Sequence, residues 1–291
     1  MAPRKWNLWG REFDSPVMLA SGTAGYGLEL MEMECTAGAA AIISKATTLR
    51  AREGNFPPRI VETRFGLLNS VGLANPGVEE VLSSILPAAS GLPVPLILNV
   101  AGETMEEFAT VVERLDTSPV PFGYEINVSC PNVSAGGAAF GASPATVEKV
   151  SELVRRTSDR PFSVKLTPNE GSLVEAALAA QQGGAEAVTV CNTFLGMSLD
   201  WRTGEPHLRR KVGGYSSPAL LPLTVARVHL TSNELDIPVL ASGGVSRPED
   251  VLELLAAGAA MVQVGTWLMR RPGAAAELRN GILGLMEGRG R

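Results

Sequence analysis

Two lysines, three asparagines and one cysteine stand where apolar runs of this sequence end. Lys45 closes AAIISK (40–45), and Lys165 falls near the end of FSVKL (162–166). Asn99 closes PLILN, Asn127 lies in YEINVS, and Asn192 closes AVTVCN. Ser21 ends PVMLAS. A lysine at the end of an apolar strand must be paired or must serve a ligand, because lysines are seldom buried alone. An asparagine amide offers both donors and an acceptor. Two cations and three amides gathered at one place suit a polar, anionic or heteroaromatic ligand. Small residues add a second chemistry. Ser242-Gly243-Gly244 and Gly265-Thr266 follow the last two apolar runs, where backbone N–H groups can receive a phosphate. The glycine-rich GGYSS (213–217) is a candidate third loop. Together these residues indicate a phosphorylated ligand without saying which one. Cys130 is the remaining oddity. It follows INVS at a strand end and precedes Pro131 and the run SAGGAAFG (134–141). A small buried hydrophobe is the ordinary role of a free cysteine. That role suits Cys35 and Cys191 and suits Cys130 poorly.

The elements that must position these residues follow a rhythm. Eight short runs rich in Val, Ile and Leu recur, at 16–21, 40–45, 95–99, 124–129, 162–166, 187–192, 238–242 and 261–265. Several are apolar at nearly every position, as strands buried on both faces must be. Helix-like segments alternate with them. ETMEEFATVVERLD (103–116) sets Met105, Phe108, Val111, Val112 and Leu115 on one face. SPATVEKVSELVRR (143–156) offers Ser143 as an N-cap and Pro144 at the first helical position. RPEDVLELLAAG (247–258) ends at Gly258, a C-cap signal. Alternation of this kind predicts parallel pairing through helical crossovers, and eight units predict an α/β fold, a single (β/α)8 TIM barrel over 1–291. Residues 46–76 and 193–216 exceed what a connection needs, and both follow strand ends on the catalytic face, so they are expected to be long active-site loops. WNLWGREFDSP is expected to form an N-terminal hairpin that closes the other end.

Composition narrows the function classes. The 291 residues carry net charge −5 and no Lys/Arg-rich block, which argues against a nucleic-acid partner. Three cysteines without a CxxC pair make neither a disulfide framework nor a metal site, and they suit a reducing cytoplasm. No apolar run approaches a membrane span, and MAPRKWNLWG lacks the apolar stretch of a signal peptide. No GxGxxG dinucleotide fingerprint occurs.

INVSCPNV with GGAAFG, SKATT (44–48), FGLLNSVGLANPG (65–77), VKLTPN (164–169) and CNTFLGM (191–197) resemble the dihydroorotate dehydrogenases, in family order and over about residues 16–270. The closest resemblance is to class 1B, the type that works with an iron–sulfur flavoprotein. It implies an FMN-binding barrel that oxidises dihydroorotate to orotate in pyrimidine biosynthesis. It implies Cys130 as the catalytic base. It implies that Lys45, Asn69, Ser70, Val71, Gly72, Leu73, Asn127, Asn192 and Thr193 hold the substrate ring. FMN contacts are implied at Ser21, Lys45, Ala46, Asn99, Asn127, Lys165, Cys191, Ser217, Gly243, Gly244, Gly265 and Thr266. The family usually has glycine where Ser217 stands, and Ile or Val where Cys191 stands. No metal ligand is implied.

On this resemblance a proton leaves C5 of dihydroorotate and a hydride leaves C6 for FMN, with the base on the far face of the ring. The run SAGGAAFG then serves as a hinged lid. The implied partners are a second copy of the chain and a separate subunit carrying FAD and a 2Fe–2S centre, in a heterotetramer with NAD as final acceptor. A class 1A-like enzyme using fumarate is the alternative within the family. Outside it stand a related FMN barrel acting on another dihydropyrimidine, and a non-enzymatic barrel that binds a phosphorylated metabolite. His229, in the helix-like LPLTVARVHL, reads as structural, and His207 as a solvated loop residue.

Overall fold

The structure is a computed structural model that describes residues 5–33, 35–129 and 140–288. It opens with β1 (Trp6–Leu8) and β2 (Arg11–Phe13), an antiparallel hairpin. The two turn residues, Trp9 at φ 53° and Gly10 at φ 77°, both take the left-handed conformation that a two-residue hairpin loop requires. Next come β3 (Val17–Leu19) and β4 (Ile42–Ile43), then β5 (Ile60–Glu62) and β6 (Leu67–Asn69). After them run β7 (Leu96–Val100), β8 (Pro121–Asn127), β9 (Phe162–Lys165) and β10 (Ala187–Val190). The chain continues with β11 (Phe194–Met197), β12 (Val212–Ser216), β13 (Val239–Ser242) and β14 (Ala259–Val264).

Eight of these strands close a parallel barrel in the order β3-β4-β7-β8-β9-β10-β13-β14, with β14 returning to β3. Each contains or overlaps one of the eight apolar runs. Every residue of β3, β4, β7, β9 and β10 is buried, as strands covered on both faces should be. The helix Met105–Asp116 buries Phe108, Val111, Val112 and Leu115, with Met105 packed at its edge. Thr104 caps that helix by accepting from the Glu107 N–H. Ser143 occupies the N-cap position of Pro144–Thr157, but its hydroxyl makes no capping bond. Gly258 stands at φ 111°, where a Cβ would meet Ser232 Oγ at 2.2 Å.

The hairpin closes the N-terminal end of the barrel, as expected. Trp9 and Phe13 pack on Phe122 at 5.7 and 6.2 Å between ring centroids, and Trp9 Nε1 donates to the Glu186 carbonyl at 3.3 Å. Gly123 leaves room for the indole, since a Cβ there would lie 2.6 Å from it.

The two long segments are more ordered than loops. Their strands form one antiparallel sheet, β11-β12-β6-β5. GGYSS is therefore mostly strand, with Gly213 and Gly214 packed within the sheet and Tyr215 to Ser217 facing the cavity described below. A Cβ on Gly213 would lie 2.4 Å from the Asn69 carbonyl, and one on Gly214 would lie 2.0 Å from Thr193 Oγ1.

Candidate active site at the barrel mouth

One cavity of about 1030 Å³ gathers the sequence-selected residues. Ser21, Lys45, Ala46, Asn99, Asn127, Lys165, Cys191, Ser217, Gly243, Gly244, Gly265 and Thr266 all line it. So do Asn69 to Leu73, Asn192 and Thr193. Cys130, the expected base, and residues 131–139, most of the glycine-rich run, lie outside the described residues. Ser129, the last described residue before them, lies two residues beyond Asn127, the end of β8.

The cavity is electropositive. Lys45, Lys165, Arg59, Arg64 and Arg270 line it against one carboxylate, Glu62, which is already paired with Arg270 at 2.5 Å. The Lys45 ammonium lies 5.7 Å from the Tyr26 ring centroid, and among the described residues it forms no ion pair with a carboxylate. Tyr26 is itself buried, and burial pushes its phenol up to about 12, so it stays neutral beside that cation.

Amides on neighbouring strands are held in defined orientations. Asn127 Oδ1 accepts from the Ser129 N–H at 3.2 Å and from Asn192 Nδ2 at 3.4 Å. Asn192 Oδ1 accepts from the Thr193 N–H at 2.8 Å. The Asn127 amino group has no partner among the described residues, so it is available as a donor. Asn69 ends β6 and donates to the Gly214 carbonyl at 3.3 Å. The turn beyond it places two successive residues in the left-handed region, Gly72 at φ 77° and Leu73 at φ 56°. Two asparagines that sequence reasoning passed over secure that turn. Asn55 donates to the Ser70 carbonyl at 2.8 Å. Buried Asn75 donates to the Leu73 carbonyl at 2.7 Å and to Thr48 Oγ1 at 2.8 Å, while its oxygen accepts from the Gly77 N–H at 2.9 Å.

The phosphate-type turns sit after β13 and β14. Gly243 at φ 127° and Gly244 at φ 86° suit glycine, and a Cβ on Gly244 would lie 2.5 Å from the Leu221 nitrogen. At Gly265 a Cβ would make ordinary contacts, 3.5 Å from Ala20 Cβ and 3.9 Å from Thr23 Oγ1. Ser217 takes φ −161°, an extended conformation open to any residue, which is why serine fits. Its hydroxyl donates to the Phe65 carbonyl at 2.7 Å and accepts from the Ala219 N–H at 3.1 Å. It is therefore committed to the start of the next helix and is not a spare phosphate donor. Cys191 is buried, and burial pushes its thiol up to about 12 despite the cations Arg227 and Lys165.

Beneath the cavity lies a residue with no signal in the sequence beyond its place in YEINVS. Glu125 is fully buried inside the barrel. It accepts from Asn99 Nδ2 at 2.8 Å, Gln263 Nε2 at 2.7 Å and Thr189 Oγ1 at 3.0 Å, and Lys165 Nζ lies 3.5 Å away. Lys165 also donates to Ser21 Oγ at 3.1 Å. A charged residue inside the mostly apolar YEINVS was the available hint.

His207 bonds Ser198 and His229 bonds Asn233; neither lines the cavity. Among the described residues no group of three His, Cys, Asp or Glu side chains is placed to hold a metal, and no helix is long and apolar enough to cross a membrane.

The chain is a closed α/β barrel that concentrates cations, oriented amides and glycine turns at one mouth, a class of fold whose ligand sites lie at that end. Known proteins narrow the class. The family model for dihydroorotate dehydrogenase matches residues 4–286. The dihydroorotate dehydrogenase B (NAD(+)) catalytic subunit of Anoxybacillus flavithermus is 42% identical over 257 residues, covering 88% of this chain and 82% of that protein. The corresponding subunit of Alkaliphilus metalliredigens is 41% identical over 283 residues, covering 97% and 93%. The Eimeria tenella enzyme DHODH, solved with ferulenol, shares the fold at a TM-score of 0.80 and 18% identity, over 98% of this chain and 85% of that one. The chain belongs to the dihydroorotate dehydrogenase family.

Proposed function

We propose that this chain oxidises dihydroorotate to orotate as the FMN-bearing catalytic subunit of a class 1B dihydroorotate dehydrogenase, in one barrel domain spanning 1–291. The observation that carries the reading is the convergence of Lys45, Lys165, three strand-end asparagines and the Gly243-Gly244 and Gly265-Thr266 turns on a single cavity.

The residues present fit a flavin mononucleotide. Asn99 Oδ1 and Gln263 Oε1 are buried without partners among the described residues, as acceptors awaiting a donor would be. Ser21, Ala46, Asn99 and Lys165 would hold the ring system, and the glycine turns with Thr266 the phosphate. Bound flavin supplies the hydride acceptor. Lys45 neutralises the substrate carboxylate, being a cation at the cavity with no carboxylate ion pair among the described residues. Asn69, Asn127 and Asn192 meet the alternating C=O and N–H groups of the pyrimidine, and Ser70 to Leu73 with Thr193 shape its edge. Cys130 takes the C5 proton as thiolate, from the segment that follows the Asn127 strand end. Lys165 stabilises negative charge that grows as hydride leaves the substrate, a preorganised electrostatic contribution.

The named relatives support a route to NAD through a second subunit. On this reading that subunit carries FAD and a 2Fe–2S centre and joins a dimer of this chain in the cytoplasm. The test is anaerobic. Purified chain loaded with FMN should bleach on adding dihydroorotate and should not bleach with dihydrouracil. A colourless protein that takes up no FMN, or flavin that stays oxidised with dihydroorotate, refutes the reading.

A further inference from the structure

The buried carboxylate under the cavity does not line it, and it is costly to keep. An ion taken out of water loses several kcal/mol of solvation, and an apolar residue would fill the same space without that loss. Four strands nevertheless direct donors at Glu125: Asn99 from β7, Lys165 from β9, Thr189 from β10 and Gln263 from β14. A carboxylate accepts and cannot donate. It therefore turns the amino groups of Asn99 and Gln263 toward itself, and it leaves their oxygens as the unpartnered acceptors noted above. It also pairs with Lys165, whose side chain is 6% exposed against 0% for Glu125. The floor of the cavity thus holds a neutral ion pair rather than a bare cation.

We propose that Glu125 is a positioning residue that sets the reduction potential of the flavin by compensating the charge of Lys165. The inference rests on the flavin reading above. A hydride is one proton and two electrons, so the ring that receives it gains one negative charge. An uncompensated ammonium beside that ring would hold the reduced form tightly. Glu125 opposes this, and electrons pass onward to the next acceptor more readily.

Glu125→Gln isolates the charge. It is isosteric, and its new amino group finds acceptors in Gln263 Oε1, now unpartnered, and in the Thr189 hydroxyl. Flavin bound to the parent, Glu125→Gln, Glu125→Asp and the charge-free pair Glu125→Gln with Lys165→Gln is equilibrated anaerobically with a redox dye of known potential. At a fixed dye potential, Glu125→Gln is expected to raise the ratio of reduced to oxidised flavin about tenfold, which is about 30 mV upward for a two-electron couple. Glu125→Asp keeps the charge and should stay within about threefold of the parent. The charge-free pair buries no ion, so it reports even where Glu125→Gln alone fails to fold; it loses the Lys165 ammonium as well, and should lie below the parent by clearly less than about tenfold. The inference falls if Glu125→Gln titrates with the parent, if it folds but loses flavin, or if the charge-free pair drops about tenfold below the parent. A parent chain that takes up no flavin sinks the functional reading and this inference together. A flavin-loaded parent with an unshifted Glu125→Gln sinks this inference alone.

Discussion

At the scale of single residues, burial sets Cys191 apart from a catalytic thiol. Burial holds the Cys191 thiol near 12, so it remains protonated across the range in which enzymes are assayed. An ordinary free thiol ionises near ~8.5, and neighbouring cations lower that value. If Cys130 is the base, flavin reduction by dihydroorotate should rise with pH as Cys130 ionises. Cys130→Ala should slow the half-reaction by roughly 10²–10⁴-fold, the usual worth of a positioned base, with flavin still bound. Stopped-flow reduction at the parent rate would remove Cys130 from the mechanism. Cys191→Val should leave the pH profile where it was; a profile that moves would mean that Cys191 titrates after all. The strand-end residues were legible because Lys and Asn are conspicuous at the close of apolar runs. Glu125, Gln263, Asn55 and Asn75 were not, because a polar side chain directed into a barrel or a turn has no periodic signature. Only the partners that satisfy it reveal its purpose.

At the scale of elements, legibility followed burial. The eight barrel strands are covered on both faces, so each reads as a continuous apolar run. The four-stranded sheet over the mouth gave no such signal. β12 is Val-Gly-Gly-Tyr-Ser, and β5 has two exposed residues of three. Glycine is poor in strands by propensity, and here it is demanded by neighbours that leave no room for a Cβ. This gives the sheet a direct test. At Gly214 a Cβ would lie 2.0 Å from Thr193 Oγ1 and 2.8 Å from Thr193 Cβ. Gly214→Val must displace Thr193, and Asn192 with it through their shared hydrogen bond. The overpacking should cost about 1–3 kcal/mol in chemical denaturation. Because Thr193 and Asn192 belong to the substrate side of the cavity, the dissociation constant for orotate should rise about tenfold or more while flavin content holds. Unchanged orotate affinity would show that the sheet carries no substrate contact.

Across the whole molecule, the two ends of the barrel divide the work. The N-terminal end is sealed by Trp9, Phe13 and Phe122, and the cavity residues lie at the C-terminal end with every selected cation and amide. Damage at the sealed end should therefore lower stability without altering chemistry. Burying a large aromatic contributes about 3–5 kcal/mol when truncated in a core, and Trp9 is half-buried, so Trp9→Ala should cost about 2 kcal/mol. Ligand at the other end acts on the same folding equilibrium by mass action. Flavin at a hundredfold its dissociation constant adds about 2.7 kcal/mol. The flavin-loaded Trp9→Ala chain should then melt close to the flavin-free parent, and its rate of bleaching by dihydroorotate should equal that of the loaded parent. Thermal melts with and without flavin, run beside the anaerobic reduction, check both halves. If Trp9→Ala weakens flavin binding or slows reduction, the hairpin shapes the mouth through the barrel, and the division between the ends fails.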